Sequence, residues 1–235
     1  MRKIRQLAAA AFDRAMAANI DNIVTLLEHD PSAVLLDVGC DDGELTMQLA
    51  RAVGTTSVHG VEVVEERASL ARSRGVDVSA TDLNQGLPYH DGAFDVVCGN
   101  QVIEHLADTD RFVAEIFRVL RPGGYAILST ENLASWHNVV ALVFGWQPFS
   151  LTNVTSTRMG LGNPLAVHRH SNWEQGETWQ HRRVFAFQGL RELLKAHAFD
   201  VEQTLGAGYY PLPCRVARID SRHAAFLAVK ARRPR

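Results

Sequence analysis

Cysteine is scarce in this 235-residue sequence. Cys40, Cys98 and Cys214 stand far apart, and no two of them form a CxxC pair. An odd, scattered set argues against a disulfide framework and against a zinc knuckle, and thiols kept reduced point to the cytoplasm. Excess charge of either sign is also missing. The formal net charge is −2, so there is no global basic field to hold nucleic-acid phosphates, and the short basic stretch from Lys230 to Arg235 reads as a solvated end. Long hydrophobic runs are absent too. The most apolar segment, Val139 to Trp146, is too short to span a bilayer. Met1 to Ala18 lacks the continuous apolar stretch and cleavage site of a signal peptide. Neither an internal repeat nor a low-complexity tract occurs.

What is present is the balance of one globular domain over residues 1–235, with 46% hydrophobic and 21% charged residues. Residues 1–30 read as helical: alanines dominate, and Ile20, Ile23, Val24 and Leu27 recur at helical spacing before Asp30-Pro31 closes the segment. From residue 34, short apolar runs alternate with amphipathic stretches. Strands are expected at Val34 to Val38, Ser57 to Val63, Val76 to Ala80, Phe94 to Cys98 and Tyr125 to Ser129. Helices are expected at Gly43 to Val53, Glu65 to Ser73 and Asp110 to Leu120. Such alternation implies a doubly wound α/β fold, a parallel sheet covered on both faces. After Thr130 the alternation stops. Residues 133–183 hold turn formers, amides, histidines and all four tryptophans, and read as a lid or insertion after the fifth strand. A helix at Phe187 to His197 and strands at Val201 to Leu205 and Ala224 to Ala231 close the chain.

The segment VLLDVGCDDG, Val34 to Gly43, is a buried strand running into a glycine loop and a helix. Ligands of such sheets bind at the carboxyl ends of the strands. Gly39 permits a sharp turn and close approach to a ligand, and Gly43 lets the next helix pack closely. A dinucleotide needs G-x-G-x-x-G for its pyrophosphate, but Asp41 and Glu44 stand where the second and third glycines would fall. Asp37, Asp41, Asp42 and Glu44 crowd one loop and oppose a pyrophosphate. S-adenosylmethionine, with a sulfonium, an ammonium and one carboxylate, suits an acidic loop. A helix-dipole role alone accounts for Asp42 and Glu44, not for Asp37 at the strand end. Glu62, in HGVEV, ends the second strand, where a carboxylate accepts both hydroxyls of a ribose; that feature serves a nicotinamide dinucleotide equally. Asp82 and Leu83 follow the third strand. There the carboxylate can accept from an adenine amino group and the leucine can flank the ring, although an aspartate after a strand is also an ordinary turn residue.

Taken in order, DVGCDDG, HGVEV, ATDLNQGLPYHDGAFDVVCGNQVIEHL and LRPGGYAILSTEN resemble the class I S-adenosylmethionine-dependent methyltransferases, in the subgroup often labelled type 11. The resemblance covers roughly residues 34–132. It implies a seven-stranded, mostly parallel Rossmann-like sheet whose last strand is antiparallel. It implies S-adenosyl-L-methionine as cofactor and S-adenosyl-L-homocysteine as product. It also implies Asp37, Gly39 and Gly43 at the methionine end, Glu62 at the ribose, Asp82 and Leu83 at the adenine, and Asn100 with Gln101 alongside the cofactor. Asp41 departs from the family, which commonly has glycine there. The later stretch HRRVFAFQGLRELLKAHAFDVEQ is also similar to the family, with Ala198 in place of its glycine.

Methyl transfer is an in-line displacement at carbon, and a hydroxyl acceptor must also lose a proton as the bond forms. The histidines available for that are His105, His137, His168, His170 and His181. His181 matches the family's histidine and lies in the expected lid. His105 follows Glu104 beside the cofactor, where a purely packed helix-end histidine is the competing reading. Histidine's reference pKa of about 6.5 leaves it neutral and able to accept a proton near neutral pH. His168, His170, Glu174, Glu177 and His181 could also ligate a metal. They form no tight ligand motif, so the expectation is no metal, Mg²⁺ being the ion to consider if the acceptor is a sugar diol. Tryptophans interleaved with amides suit a polyhydroxylated or amphipathic small molecule, unless the rings form the lid's own core. The expectation is therefore methylation of a hydroxyl on a sugar, lipid or secondary metabolite by a monomer or homodimer, with no nucleic acid and no membrane span. The alternatives are an NAD(P)-dependent oxidoreductase and a non-catalytic methyltransferase-like partner subunit.

Overall fold

The computed structural model describes residues 2–155, 160–166, 180–210 and 212–235. The chain begins with α1 (Arg2–Leu26). It then alternates through β1 (Val34–Val38), α2 (Glu44–Val53), β2 (Ser57–Val61), α3 (Glu65–Ser73), β3 (Asp77–Ser79), β4 (Phe94–Asn100), α4 (Thr109–Val119) and β5 (Leu120–Glu131). It ends with α5 (Trp136–Val143), α6 (Phe187–Ala196), β6 (Asp200–Ala207) and β7 (Phe226–Arg232). The seven strands form one sheet in the order β3-β2-β1-β4-β5-β7-β6. Strands β1 to β5 pair in parallel, and β7 runs antiparallel to both β5 and β6.

Side-chain alternation along β1 divides the core. Leu36 and Val38 point to one face, where Phe112, Val113, Ile116 and Val119 of α4 meet Leu190 and Leu194 of α6. Leu35 points to the other, with Ile23 and Leu26 of α1, Leu49 and Val53 of α2, and Ala68 and Ala71 of α3. By the period of two, Asp37 shares the face of Leu35 and looks towards α2. Helix α4 starts on Asp108, whose carboxylate accepts from Arg111 N at 2.9 Å, satisfying one orphan amide of its first turn.

Apart from α5, which lies in a stretch where no helix or strand was expected, the elements fall within a few residues of the sequence expectation. The largest difference is β5, which begins at Leu120 rather than Tyr125. Leu120 already pairs with Phe94, and the ladder resumes at Val96 with Tyr125. Arg121-Pro122-Gly123-Gly124 therefore bulges out within the strand, with Gly123 at φ +83°. After β5 the chain makes a long excursion. Asn132 forms a parallel bridge with Phe185, and Leu133 N donates to Phe185 O at 2.9 Å, so departure and return are fastened at one point. Among the described residues no helix is long and apolar enough to cross a membrane.

Helix α6 ends in a Schellman-type turn. Phe199 N donates to Leu194 O at 3.2 Å and Ala198 N to Lys195 O at 3.0 Å, with Phe199 buried against the core. That turn puts Ala198 at φ +63°, in the left-handed region where a Cβ is crowded and glycine is the usual occupant. The strain of about 1–2 kcal/mol is partly offset because glycine loses more entropy on folding. Ala198→Gly is thus expected to stabilise the chain by about 1 kcal/mol and raise its melting temperature by about 2–4 °C. A melting temperature that falls in a calorimetric scan would show the left-handed alanine to be unstrained.

Candidate active site

The carboxyl edge of the sheet gathers the residues expected to bind a cofactor. Asp37 lies in β1 and is 2% exposed. Its Oδ2 accepts from Thr46 Oγ1 of α2 at 2.6 Å. Burial pushes the Asp37 carboxyl up to about 6; the Thr46 bond opposes that shift and the charge of Glu62 adds to it. Gly39 turns at φ +79°, and a Cβ there would stand 2.5 Å from Val102 Cγ2. Gly43, at φ +82°, lies against α3, where a Cβ would come within 2.9 Å of the Ala71 Cα. Both glycines are therefore required by packing as well as by backbone conformation.

Between them Asp41 occupies φ +46°, a left-handed conformation that aspartate tolerates better than most residues. This is the position where the resemblance leads one to expect glycine. Glu62, just past β2, holds the turn in place: its Oε2 accepts from Asp41 N at 3.1 Å and its Oε1 from Val64 N at 2.9 Å. The crowd of loop acids is smaller than it reads in the sequence. Asp41 pairs with Arg67 at 3.3 Å and Asp42 with Arg74 at 3.4 Å, so α3 supplies two counter-charges. Asp37 and Glu62 carry the negative character of this end of the site. Asp82 Oδ1 accepts from both Asn84 N and Asn84 Nδ2 at 2.9 Å, which makes it the cap of a short turn, Leu83–Gln85. Leu83 packs on the core beneath.

Asn100 and Gln101 leave the end of β4 in a network that the sequence did not reveal. Asn19 of α1, fully buried, donates through Nδ2 to Asn100 Oδ1 at 3.0 Å and accepts from Ser129 Oγ at 2.9 Å. Gln101 Nε2 reaches the same Ser129 hydroxyl at 3.3 Å, and Gln101 itself stands at φ +55°. The one hint was an amide set among the alanines and aliphatics of the first helix.

A second group of polar residues lies beyond β4 and β5. Glu104 is fully buried. Its Oε2 accepts from Thr130 Oγ1 at 2.9 Å, and its Oε1 has no partner among the described residues. Burial pushes its carboxyl up to about 7, a shift that the neighbouring His181 opposes. Burial also pushes His105 down to about 4, and His181 acts in the same direction. The His105 and His181 rings meet edge to face, 4.8 Å between centroids. Each ring has its Nδ1 against a backbone carbonyl: His105 on Gln180 O at 3.1 Å, His181 on Ser150 O at 2.7 Å. A carbonyl only accepts, so each Nδ1 carries the proton and each Nε2 keeps its lone pair. Glu131, at the end of β5, brings its Oε2 to 3.7 Å from His181 Nδ1, too long for a hydrogen bond; that oxygen is buried without a partner among the described residues.

The two expected histidines are therefore brought together, and Glu104, Glu131 and Asn19 join the site as residues that the sequence reading had not singled out for a role. His137 stands apart: burial pushes it down to about 4, and its ring packs against Phe149 and Tyr210. His168, His170, Glu174 and Glu177, considered above as ligands, lie outside the described residues, as do Trp173 and Trp179. The other two tryptophans already have partners. Trp136 stacks on His223 at 4.6 Å and donates to Tyr209 Oη at 2.8 Å, and Trp146 stacks on Phe144 at 5.3 Å.

A family model described as a methyltransferase domain matches residues 6–204. A Mycolicibacterium smegmatis protein named "Probable S-adenosylmethionine-dependent methyltransferase" is 32% identical over 196 residues, covering 82% of this chain and 61% of that protein. The mitochondrial ubiquinone biosynthesis O-methyltransferase of Rattus norvegicus is 26% identical over 206 residues, covering 81% of this chain and 53% of that protein. The chain thus spans between half and two thirds of the length of these curated relatives. In fold, it is similar to the crystal structure of an S-adenosylmethionine dependent methyltransferase from Mesorhizobium loti. The TM-score is 0.63 at 19% identity, over 91% of this chain and 96% of that one.

The donor set fits a sulfonium and a ribose: two carboxylates on adjoining strand ends, with a loop whose glycines bring its backbone close. Two outcomes follow. Glu62→Ala should weaken S-adenosylhomocysteine binding roughly ten- to hundredfold, since a charged hydrogen-bond acceptor is worth about 1.5–3 kcal/mol. Asp37→Asn should weaken it too while preserving the fold. The raised folded-state value of Asp37 means that its ionisation opposes folding, so the parent loses stability as pH rises from about 4 to about 6. The asparagine variant escapes that loss and should melt higher than the parent at pH 7 but not at pH 4. Unchanged affinity in calorimetry removes either residue from the site, and a variant no more stable than the parent at pH 7 refutes the cost of ionising Asp37.

Proposed function

The chain belongs to the class I S-adenosylmethionine-dependent methyltransferases, and on that premise we propose that it methylates a hydroxyl group of a small molecule, a sugar, lipid or secondary metabolite. The observation that carries this reading is the pairing of His105 and His181 beside Glu104, with both imidazoles fixed in the tautomer that leaves Nε2 able to take a proton. Oxygen as the methylated atom is supported by the likeness to the rat O-methyltransferase.

S-adenosylmethionine supplies a methyl on a sulfonium whose thioether leaves without needing a proton. The rest is positioning. Asp37 and Glu62 hold the cationic end and the ribose, Gly39 and Gly43 let the loop close on the methionine end, and Asp82 with Leu83 flanks the adenine. Asn100 and Gln101, braced by Asn19 and Ser129, line the cofactor's side. His181 is the proton acceptor of choice: its ring is held by the Ser150 carbonyl, and Glu131 stands on its Nδ1 side to offset the charge gained. His105 is the second candidate. The excursion over 133–183, fastened at Asn132 and Phe185, covers the acceptor and excludes water.

His181→Ala is expected to keep affinity for S-adenosylhomocysteine and to lose turnover by roughly two orders of magnitude or more, read as homocysteine release across a panel of acceptors. Near-normal turnover would pass the role to His105, and loss of cofactor affinity together with turnover would make His181 structural. The covering role of 133–183 is tested by hydrogen exchange: protection across this segment should rise when cofactor and acceptor bind, and identical exchange in all states rules out closure.

A further inference from the structure

Two buried carboxylate oxygens near the acceptor end, Glu104 Oε1 and Glu131 Oε2, have no hydrogen-bond partner among the described residues. A buried carboxylate oxygen without a donor is costly, and native proteins supply a proton, a water or a cation to such a group. Among the described residues the neighbours supply none. Both imidazoles spend their single N–H on a backbone carbonyl, so what each turns elsewhere is a bare lone pair. The guanidinium of Arg183 is directed at the Ala107 carbonyl. One ligand atom from each of Glu104, His105 and His181 lies within 4.8 Å of the other two, the one such group among the described residues. Lone pairs and a carboxylate gathered within that distance repel one another unless a positive charge stands between them.

We propose that Glu104, His105 and His181 bind a divalent transition cation, of the Zn²⁺ or Mn²⁺ class. Two imidazoles and a carboxylate are a ligand set for such ions, whereas Mg²⁺ favours oxygen ligands throughout. Three protein ligands leave a coordination position open, as in reactive rather than purely structural sites. The surroundings are those of a metal centre: each histidine has its far nitrogen tied to a carbonyl, and Glu131 sits behind His181 as an outer carboxylate. The ligands are also held together before any ion arrives. Arg182 N and Arg183 N both donate to Glu104 O, at 2.8 and 3.2 Å, and the Gln180 carbonyl holds His105, so the strand of chain carrying His181 is stitched to the turn carrying Glu104 and His105.

The inference rests on the functional reading only for placing the acceptor beside this cluster. With the ion bound, the His181 lone pair would hold metal instead of receiving the proton directly, and an acceptor hydroxyl would gain acidity from the cation's charge and release its proton to solvent water as it binds.

The test uses the whole chain, treated with chelator and titrated calorimetrically with ZnCl₂ and with MnCl₂, without cofactor or acceptor. One ion per chain is expected, with affinity at least a hundredfold lower in Glu104→Gln and about tenfold lower in Glu131→Gln. Circular dichroism checks that each variant is folded. Should Glu104→Gln fail that check, the absorption spectrum of Co²⁺ added to the unaltered chain replaces it: a ligand-field band reporting nitrogen ligation is expected, and the spectrum of hydrated Co²⁺ refutes the site. Absence of saturable binding, or equal affinity in a folded Glu104→Gln, overturns the proposal. A chain that binds S-adenosylhomocysteine but no ion refutes this site alone, while one that binds the ion but not S-adenosylhomocysteine refutes the methyl-transfer reading alone.

Discussion

The burial of β1 on both faces is the constraint on which the rest of the site depends. A strand covered on each side must be apolar at nearly every position, and Leu35, Leu36 and Val38 comply. Asp37 does not. A carboxyl in that place can be tolerated only with a donor of its own, and Thr46 of α2 provides it from within the same packed layer. That bond ties the first strand to the first helix after it, and so fixes the course of the loop between them. Gly39, Asp41 and Gly43 then take left-handed conformations because the connection is short and the helix must lie close to α3. Glu62 completes the arrangement by accepting from the loop's backbone. The negative site and the fold are thus one construction, in which the carboxylates proposed for a cation and a diol are already held in position by structure.

Charge in this loop also shows how far local reading can carry. Asp41 and Asp42 count as acids in the sequence, but Arg67 and Arg74 reach them from α3. Neither arginine is near the loop in sequence. The contrast with a pyrophosphate site still holds, since Asp37 and Glu62 remain, but it rests on two carboxylates at adjoining strand ends and not on four.

The strands and helices were legible because their periods are local. Buried runs of about five residues and amphipathic stretches of about ten can be read from neighbours alone. The glycine loop was legible for the same reason, since Gly39 and Gly43 announce a turn between strand and helix. What escaped were contacts between distant parts of the chain. Asn19 meets Asn100 from 81 positions away, and His105 meets Gln180 from 75. Nothing in an alanine-rich helix tells which amide will be buried, and nothing in VIEHL tells that its glutamate will keep one oxygen without a donor. The tryptophans left two readings open for a related reason. Clustered in sequence, they suggested a surface for an acceptor, yet Trp136 and Trp146 are occupied by His223, Tyr209 and Phe144. The departure at β5 has a similar source: proline and two glycines argue for a turn, and the ladder accommodates that turn as a bulge between two paired stretches.

The fastening of Asn132 to Phe185 separates two problems that a catalyst must solve. Because the excursion begins and ends at adjacent points on the sheet, its length and contents place little demand on the strands. Closing a longer loop costs only slightly more entropy, about 0.6 kcal/mol for each doubling. Lineages can therefore exchange, lengthen or recombine this segment while the sheet edge that serves the cofactor stays unaltered. Such an architecture is modular: the sheet edge and the excursion meet along a short seam, the Asn132–Phe185 bridge and the backbone bonds of Arg182 and Arg183 to Glu104, and what lies between those ties is free to vary.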